Sequence, residues 1–234
     1  MGWKRRHFEI HETERGMADF LERPTDDQGS VIALSTSRVY PAELACDVVT
    51  DGGELLLMRP IQPDDATLLV DFHRRLSPDS IYRRYFSVHP ELSDDEVRHL
   101  TQVDYFERFA FIVELRGELV GVGRFDRFPG TNEAEVAFIV ADEYHHQGVG
   151  LMLLERLAEV AWSLGITTFT AETQADNRSM MGVFHASGFP VTSTMEDEVI
   201  TARFPIAPSD ASRASRARRS GRVATHAATL NGSP

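Results

Sequence analysis

The run Asp142-Glu143-Tyr144-His145-His146-Gln147-Gly148-Val149-Gly150-Leu151 joins two segments of different periodicity. Before it, Ala134-Glu135-Val136-Ala137-Phe138-Ile139-Val140 reads as an apolar strand; after it, Leu151 to Leu164 carries apolar residues at helical spacing. A strand that turns through glycines into a helix leaves the first helical N–H groups without intrahelical partners, all pointing one way. Such a terminus suits a phosphate or pyrophosphate, and Gly148 and Gly150 let the backbone approach the anion. No Lys-Ser or Lys-Thr pair follows the glycines, which argues against a nucleoside-triphosphate P-loop. The third glycine of a dinucleotide fingerprint would fall at position 153, which is Leu153. What remains is a turn for a pyrophosphate-bearing ligand whose other parts are held elsewhere.

Around this turn the pattern predicts an ordered series of elements. Glu54 to Ile61 reads as a strand. Pro63-Asp64-Asp65 opens a helix with the apolar stripe Leu68, Leu69, Phe72 and Leu76. Ser77-Pro78-Asp79 caps a second helix, and Ser93 with Glu96 forms the capping box of a third that ends near Gln102. Phe109–Leu115 and Glu118–Phe125 meet across Arg116-Gly117 as a hairpin, and Phe128–Asn132 turns into the strand Glu133–Val140. After the glycine turn and its helix, closed at Gly165, come a strand from Thr167 to Thr173 and a helix from Asn177 to about Ser187. Pro190–Thr194 and Glu198–Phe204 read as a last hairpin. The order predicts an α+β domain whose mixed central sheet combines antiparallel meanders with one βαβ unit. Its predicted limits are residues 39–206, between a poorly ordered extension over 1–38 and a disordered Arg/Ser/Ala-rich tail over 207–234.

Composition narrows the function. The chain of 234 residues carries a formal net charge of −12, which argues against sequence-independent nucleic-acid binding. No run approaches the ~20 apolar residues of a membrane span, and the charged N-terminus is not a signal peptide, so a cytoplasmic location is expected. Cys46, the single cysteine, forbids an intrachain disulfide and falls before the expected start of the core. Adjacent His145 and His146 make poor joint ligands, and no metal is expected.

A second motif lies one strand downstream. Asn177-Arg178-Ser179-Met180 opens the late helix, with Asn177 a natural N-cap, and Phe184-His185-Ala186-Ser187-Gly188-Phe189 closes it. With the glycine turn, this resembles the GNAT superfamily of acetyl-CoA-dependent N-acetyltransferases from about residue 55 to 205. Tyr40-Pro41-Ala42, Asp51-Gly52-Gly53, Arg59-Pro60-Ile61, Leu76-Ser77-Pro78, Val103-Asp104-Tyr105 and Glu133–Phe138 narrow the resemblance to the bacterial Pat-type protein lysine acetyltransferases. It implies a mixed, mostly antiparallel central sheet flanked by helices and splayed beside the pantetheine arm, with acetyl-CoA as co-substrate. It also implies that Phe138, Ile139 and Val140 meet that arm, that His145, His146, Gln147, Gly148, Val149, Gly150 and Leu151 cradle the pyrophosphate, and that Asn177 and Phe184 complete the coenzyme site. Two positions depart from the family pattern: His145 stands where Gln or Arg is usual, and Phe184 where many relatives carry a tyrosine proposed to protonate the departing thiolate.

The chemistry requires a neutral acceptor amine. For a lysine, deprotonation at pH 7 costs about 4.6 kcal/mol, so a positioned base matters. Glu135 is the candidate: a carboxylate in an otherwise apolar strand, on the same face as Glu133, at the point where the resemblance places the general base. The plainer readings are a solvent-facing carboxylate or an ion pair with Arg124. The expected acceptor is an exposed lysine of a protein, with an acyl-CoA synthetase as the target class. The alternatives are a small amine, received in an acidic pocket of Asp104, Glu107 and Asp126, or coenzyme binding without catalysis.

Overall fold

A computed structural model describes residues 39–210 and Arg213. The extension predicted over 1–38 and nearly all of the tail predicted over 207–234 lie outside the described residues. Eight strands form one sheet: β1 Cys46–Val49, β2 Leu55–Pro60, β3 Arg108–Leu115, β4 Glu118–Arg127, β5 Glu133–Val140, β6 Thr168–Gln174, β7 Thr192–Glu196 and β8 Val199–Pro205. Their spatial order is β1-β2-β3-β4-β5-β6-β8-β7. Every pairing is antiparallel except β5 with β6. The helices are α1 Ala66–Arg75, α2 Pro78–Tyr85, α3 Asp94–Thr101, α4 Val149–Ser163 and α5 Arg178–Ala186, with α4 making the crossover between the two parallel strands.

The sequence dictates most of this locally. Arg116 and Gly117 both take positive φ, 52° and 84°, the geometry of a two-residue hairpin turn between β3 and β4. Ser77, Ser93 and Asn177 each accept a backbone N–H at the start of α2, α3 and α5, and Ser93 with Glu96 forms the capping box. Strand β5 alternates: Ala134, Val136 and Phe138 are buried, while Glu133, Glu135 and Ala137 on the other face are only partly covered. The buried set joins Phe125, Leu153, Leu157, Phe169, Phe184 and Phe204 in the core beneath α4. On the opposite face Leu69 and Phe72 of α1 pack with Ile61, Ala110, Ile112 and Val122, and Ile139 joins them. β3 therefore runs buried on both faces from Phe109 to Val113.

One strand escapes the sequence reading. Cys46 does not precede the core; it opens β1, pairs with Met58 of β2 and packs against the main cluster. Four residues at a sheet edge are too few for alternation to register.

Helix α2 is anchored to the loop that follows β5. The Asp142 carboxylate accepts from the Ser77 N–H (2.9 Å), the Ser77 hydroxyl (2.7 Å) and the Ser80 hydroxyl (2.8 Å). Burial acts to raise its pKa, but the Ser77 and Ser80 hydrogen bonds outweigh it and the carboxyl sits below its ordinary value. A depressed folded-state pKa contributes stability above the unfolded-state value, and this is lost as pH falls through the folded one. Asp142→Ala should therefore cost about 1 kcal/mol at neutral pH, a modest figure because the site is open to solvent. Urea denaturation should show the difference from wild type shrinking in acid.

Candidate active site

The feature that organises the site is a V-shaped opening in the sheet. β5 and β6 pair only at Glu133↔Thr168, Ala134↔Phe169 and Glu135↔Thr170; beyond Glu135 the two strands separate. β5 nevertheless remains in continuous register with β4, from Arg127↔Ala134 to Gly121↔Val140. One edge of β5 is thus satisfied along its length, and the other is free of β6 from the Val136 carbonyl onward.

Which groups face the opening follows from strand alternation. Ala141 donates its N–H to the Val120 carbonyl, and the Glu133 carbonyl accepts from Phe128, so odd-numbered residues of β5 point their amides at β4. The groups that face the opening are therefore the Val136 carbonyl, whose own N–H makes the last bond to β6 at Thr170, and the backbone groups of Phe138 and Val140. Ile139, expected to meet the pantetheine arm, instead turns its amide toward β4 and its side chain toward the α1 cluster. Val136, which the sequence reading omitted, takes its place; period-two alternation counted back from Phe138 identifies it. An extended, amide-bearing chain laid in the V can hydrogen-bond to this edge as an added strand does.

At the mouth of the V stands the glycine turn. After a 3-10 turn over Asp142–Tyr144, His146 (φ 59°) and Gly148 (φ 84°) reverse the chain into α4. Gly148 is the N-cap and has no side chain to offer the helix, unlike the Ser and Asn caps of α2, α3 and α5. Met152 is the first residue of α4 whose N–H closes a helical turn, onto the Gly148 carbonyl. The N–H groups of Val149, Gly150 and Leu151 precede it and form the anion-binding end. A Cβ on Gly148 would lie 3.2 Å from the Asp51 carboxylate, whereas one on Gly150 would meet only Val183 at 3.5 Å. Of the two glycines, Gly148 is the one whose backbone requires glycine.

The flanking residues have defined places. His145 directs Nε2 to the Val140 carbonyl at 3.0 Å, on the open side of β5. Gln147 donates to the Glu143 carbonyl, and its own carbonyl accepts from Asp51 of the β1–β2 turn, so both side chain and backbone hold the turn in shape. Asn177 is buried and accepts from Met180 N–H at 3.1 Å, acting as the cap of α5. Phe184 is 1% exposed, its ring 5.4 Å from Phe204, and is a member of the aromatic core.

Glu135 sits at the vertex, the last residue of β5 to pair with β6. Its face of the sheet carries one cross-strand row, Arg108–Asp126–Glu135–Thr170–Arg203. Arg124 does not take Glu135 as its salt-bridge partner; it binds Asp126 at 2.9 Å, and Arg108 binds the same carboxylate at 3.2 Å. Glu133 pairs with Arg203. Arg84 of α2 joins this cluster: burial pushes its guanidinium below its ordinary range, and the charges of Tyr85, Arg124, Glu135 and Asp126 act on it. Its guanidinium also lies over the Tyr85 ring at 5.3 Å. Helix α2 packs against both β5 and β6 on this face, and Arg83 reaches Asp176 in the loop beyond β6 at 3.3 Å. The three carboxylates considered for a small-amine pocket are each engaged with other groups. The Asp104 carboxylate caps the N–H groups of Phe106, Glu107 and Arg108, Glu107 meets Arg127 at 3.6 Å, and Asp126 is held by its two arginines.

Known proteins share this fold and part of this sequence. The sequence pattern of the acetyltransferase (GNAT) family matches residues 77–189. Acetyltransferase PA5475 of Pseudomonas aeruginosa is 31% identical over 143 residues, covering 59% of this chain and 77% of that protein. The chain belongs to the GNAT family of acetyltransferases. The crystal structure of the GNAT domain of S. lividans PAT is 36% identical, with a TM-score of 0.68 over 71% of this chain and 99% of that domain. Acetyltransferase Pat of Mycolicibacterium smegmatis is 31% identical over 140 residues, 58% of this chain but only 41% of its own length. The structure of yncA from Salmonella typhimurium, which has the same fold (15% identical, TM-score 0.54), contains its cofactor acetyl-CoA. Among the described residues, no helix is long and apolar enough to cross a membrane.

Proposed function

We propose that this GNAT domain transfers acetyl from acetyl-CoA to a lysine side chain of another protein, with Glu135 as general base. The observation that carries the reading is the open edge of β5 ending at Glu135. Pantetheine lies in the V against the Val136 carbonyl and the amides of Phe138 and Val140, its pyrophosphate rests on the N–H groups from His146 to Leu151, and the thioester reaches the vertex. A slot-facing N–H of β5 polarises the thioester carbonyl. Glu135 accepts the proton of the attacking amine, and the coenzyme leaves as its thiolate without a phenol at position 184.

A protein acceptor is supported by two observations. The three carboxylates suited to a small-amine pocket are engaged in caps and ion pairs, and α2 presents an exposed face, with Tyr82 48% accessible, beside the vertex. The similarity to Pat-type acetyltransferases favours an acyl-CoA synthetase as the target class. The test incubates the protein and labelled acetyl-CoA with an acyl-CoA synthetase, with its active-site lysine variant, and with a set of polyamines and aminoglycosides. Label is expected on the synthetase and not on its lysine variant. Label on small amines but on no protein would reject the protein-acceptor reading.

A further inference from the structure

The proposed pyrophosphate site and the proposed base lie on opposite faces of the sheet. Helix α4 packs with Ala134, Val136 and Phe138, whereas Glu135 projects from the other side of β5. An acceptor amine that meets Glu135 therefore arrives on the face away from α4. From Glu135 that face continues across β6, β8 and β7. Register sets Thr170 beside Glu135 and Arg203 beside Thr170; the next row begins with Glu172, and Glu196 closes the last one on β7. The back of these strands is core, while Glu172, Arg203 and all of β7 are exposed.

Antiparallel strands commonly keep one face in water, so exposure alone says little. Charge and position say more. Helix α2 packs against β5 and β6 and walls this face on one side. Its Arg83 is shared by Asp79 (2.7 Å) and Asp176 (3.3 Å), both largely exposed, and Arg203 is engaged by Glu133. Against these two guanidiniums stand five carboxylates, Asp79, Glu133, Glu172, Asp176 and Glu196. The face is acidic and borders the vertex. Glu172 lies one strand across and two residues along from Glu135, about 8 Å between backbones.

We propose that the exposed face of β6, β8 and β7 receives the acceptor, and that the partner it fits is a protein surface with a second basic side chain beside the reacting lysine, held by Glu172. This rests on the protein-acceptor reading above and supplies the surroundings of the lysine that the reading leaves open. The second charge orients the partner while the lysine gives up its proton to Glu135. Acetylation removes one of the two positive charges, so the product binds this face less tightly than the substrate and is released. A second copy of the domain does not fit here, because it would set carboxylates against carboxylates.

The test uses the full chain and the acceptor protein labelled in the assay above, and compares Glu172→Arg with Glu43→Arg. Glu43 is exposed in the turn before β1, at the other edge of the sheet, so the two variants carry the same net charge. Glu172→Arg should raise KM for the acceptor at least about fivefold at low salt, and the isosteric Glu172→Gln about twofold. Turnover and KM for acetyl-CoA should stay within about twofold of wild type, and Glu43→Arg should match wild type throughout. The difference should fade with salt, as the Debye length shortens from about 30 Å at 0.01 M to about 8 Å at 0.15 M. Equal acceptor KM in the Glu172 and Glu43 variants overturns the inference while leaving the function standing. A fall in acceptor KM on Glu172→Arg overturns it too, since the face would then hold a competing basic segment of the chain itself, the arginine-rich stretch 213–222. A chain that labels no protein shows that the protein-acceptor reading has failed, and the inference falls with it.

Discussion

Glu135→Gln should lower turnover about 10²-fold or more near neutral pH while leaving acetyl-CoA affinity unchanged. The amide keeps the shape of the carboxylate and the pairing of the strand, so the V and its open edge persist; what disappears is the ability to take a proton. The deficit should shrink as pH rises toward the lysine pKa of about 10.4, because the acceptor then loses its proton unaided. Kinetics across that range, with coenzyme binding measured separately by calorimetry, separates a lost base from a distorted site. Glu133→Gln is the matched control. Glu133 is on the same face but engaged with Arg203, and its loss should cost far less. A wild-type pH profile in the Glu135 variant would move the base elsewhere.

Gly148→Val should weaken acetyl-CoA binding at least about tenfold, the equivalent of 1.4 kcal/mol. The reason differs from simple occlusion of the phosphate. The backbone holds φ at 84°, where a β-branched residue is strained, and the new Cβ would press on the Asp51 carboxylate at 3.2 Å. Relief of either strain rotates the turn, and the N–H groups of Val149, Gly150 and Leu151 no longer converge on one point. His145→Ala removes a side chain but leaves those amides in place, and should change affinity much less. Calorimetric titration of the two variants compares the effects directly, and unchanged affinity in the Gly148 variant would remove the pyrophosphate assignment.

Much of this was readable from sequence because the decisive features are local. The caps at Ser77, Ser93 and Asn177, the hairpin at Arg116-Gly117 and the helix entry at Gly148 each depend on residues adjacent in the chain. The alternation of β5 likewise separates Glu135 from the apolar face without any tertiary information. What was not readable depends on pairing across the sheet. β1 is a short edge strand whose partner lies across a turn. The interchange of Ile139 and Val136 at the open edge follows from which residues hydrogen-bond to β4, and apolarity does not report that. Arg124 pairs with Asp126, two residues along its own strand, and the register sets Ala137 rather than Glu135 opposite it; the Asp104 carboxylate is likewise engaged as a loop cap. The vertex was likewise invisible: Glu135 is the last residue before β5 and β6 part, and only the pairing reveals that they part.

The central claim is that acetyl-CoA binds as an added strand on the open edge of β5, and amide hydrogen exchange resolved by residue tests it most directly. The N–H groups of Phe138 and Val140 should exchange readily in the free protein and slow when acetyl-CoA saturates it. Ile139, already bonded to β4, should change little. Saturating acetyl-CoA with no slowing at Phe138 and Val140 would contradict the account.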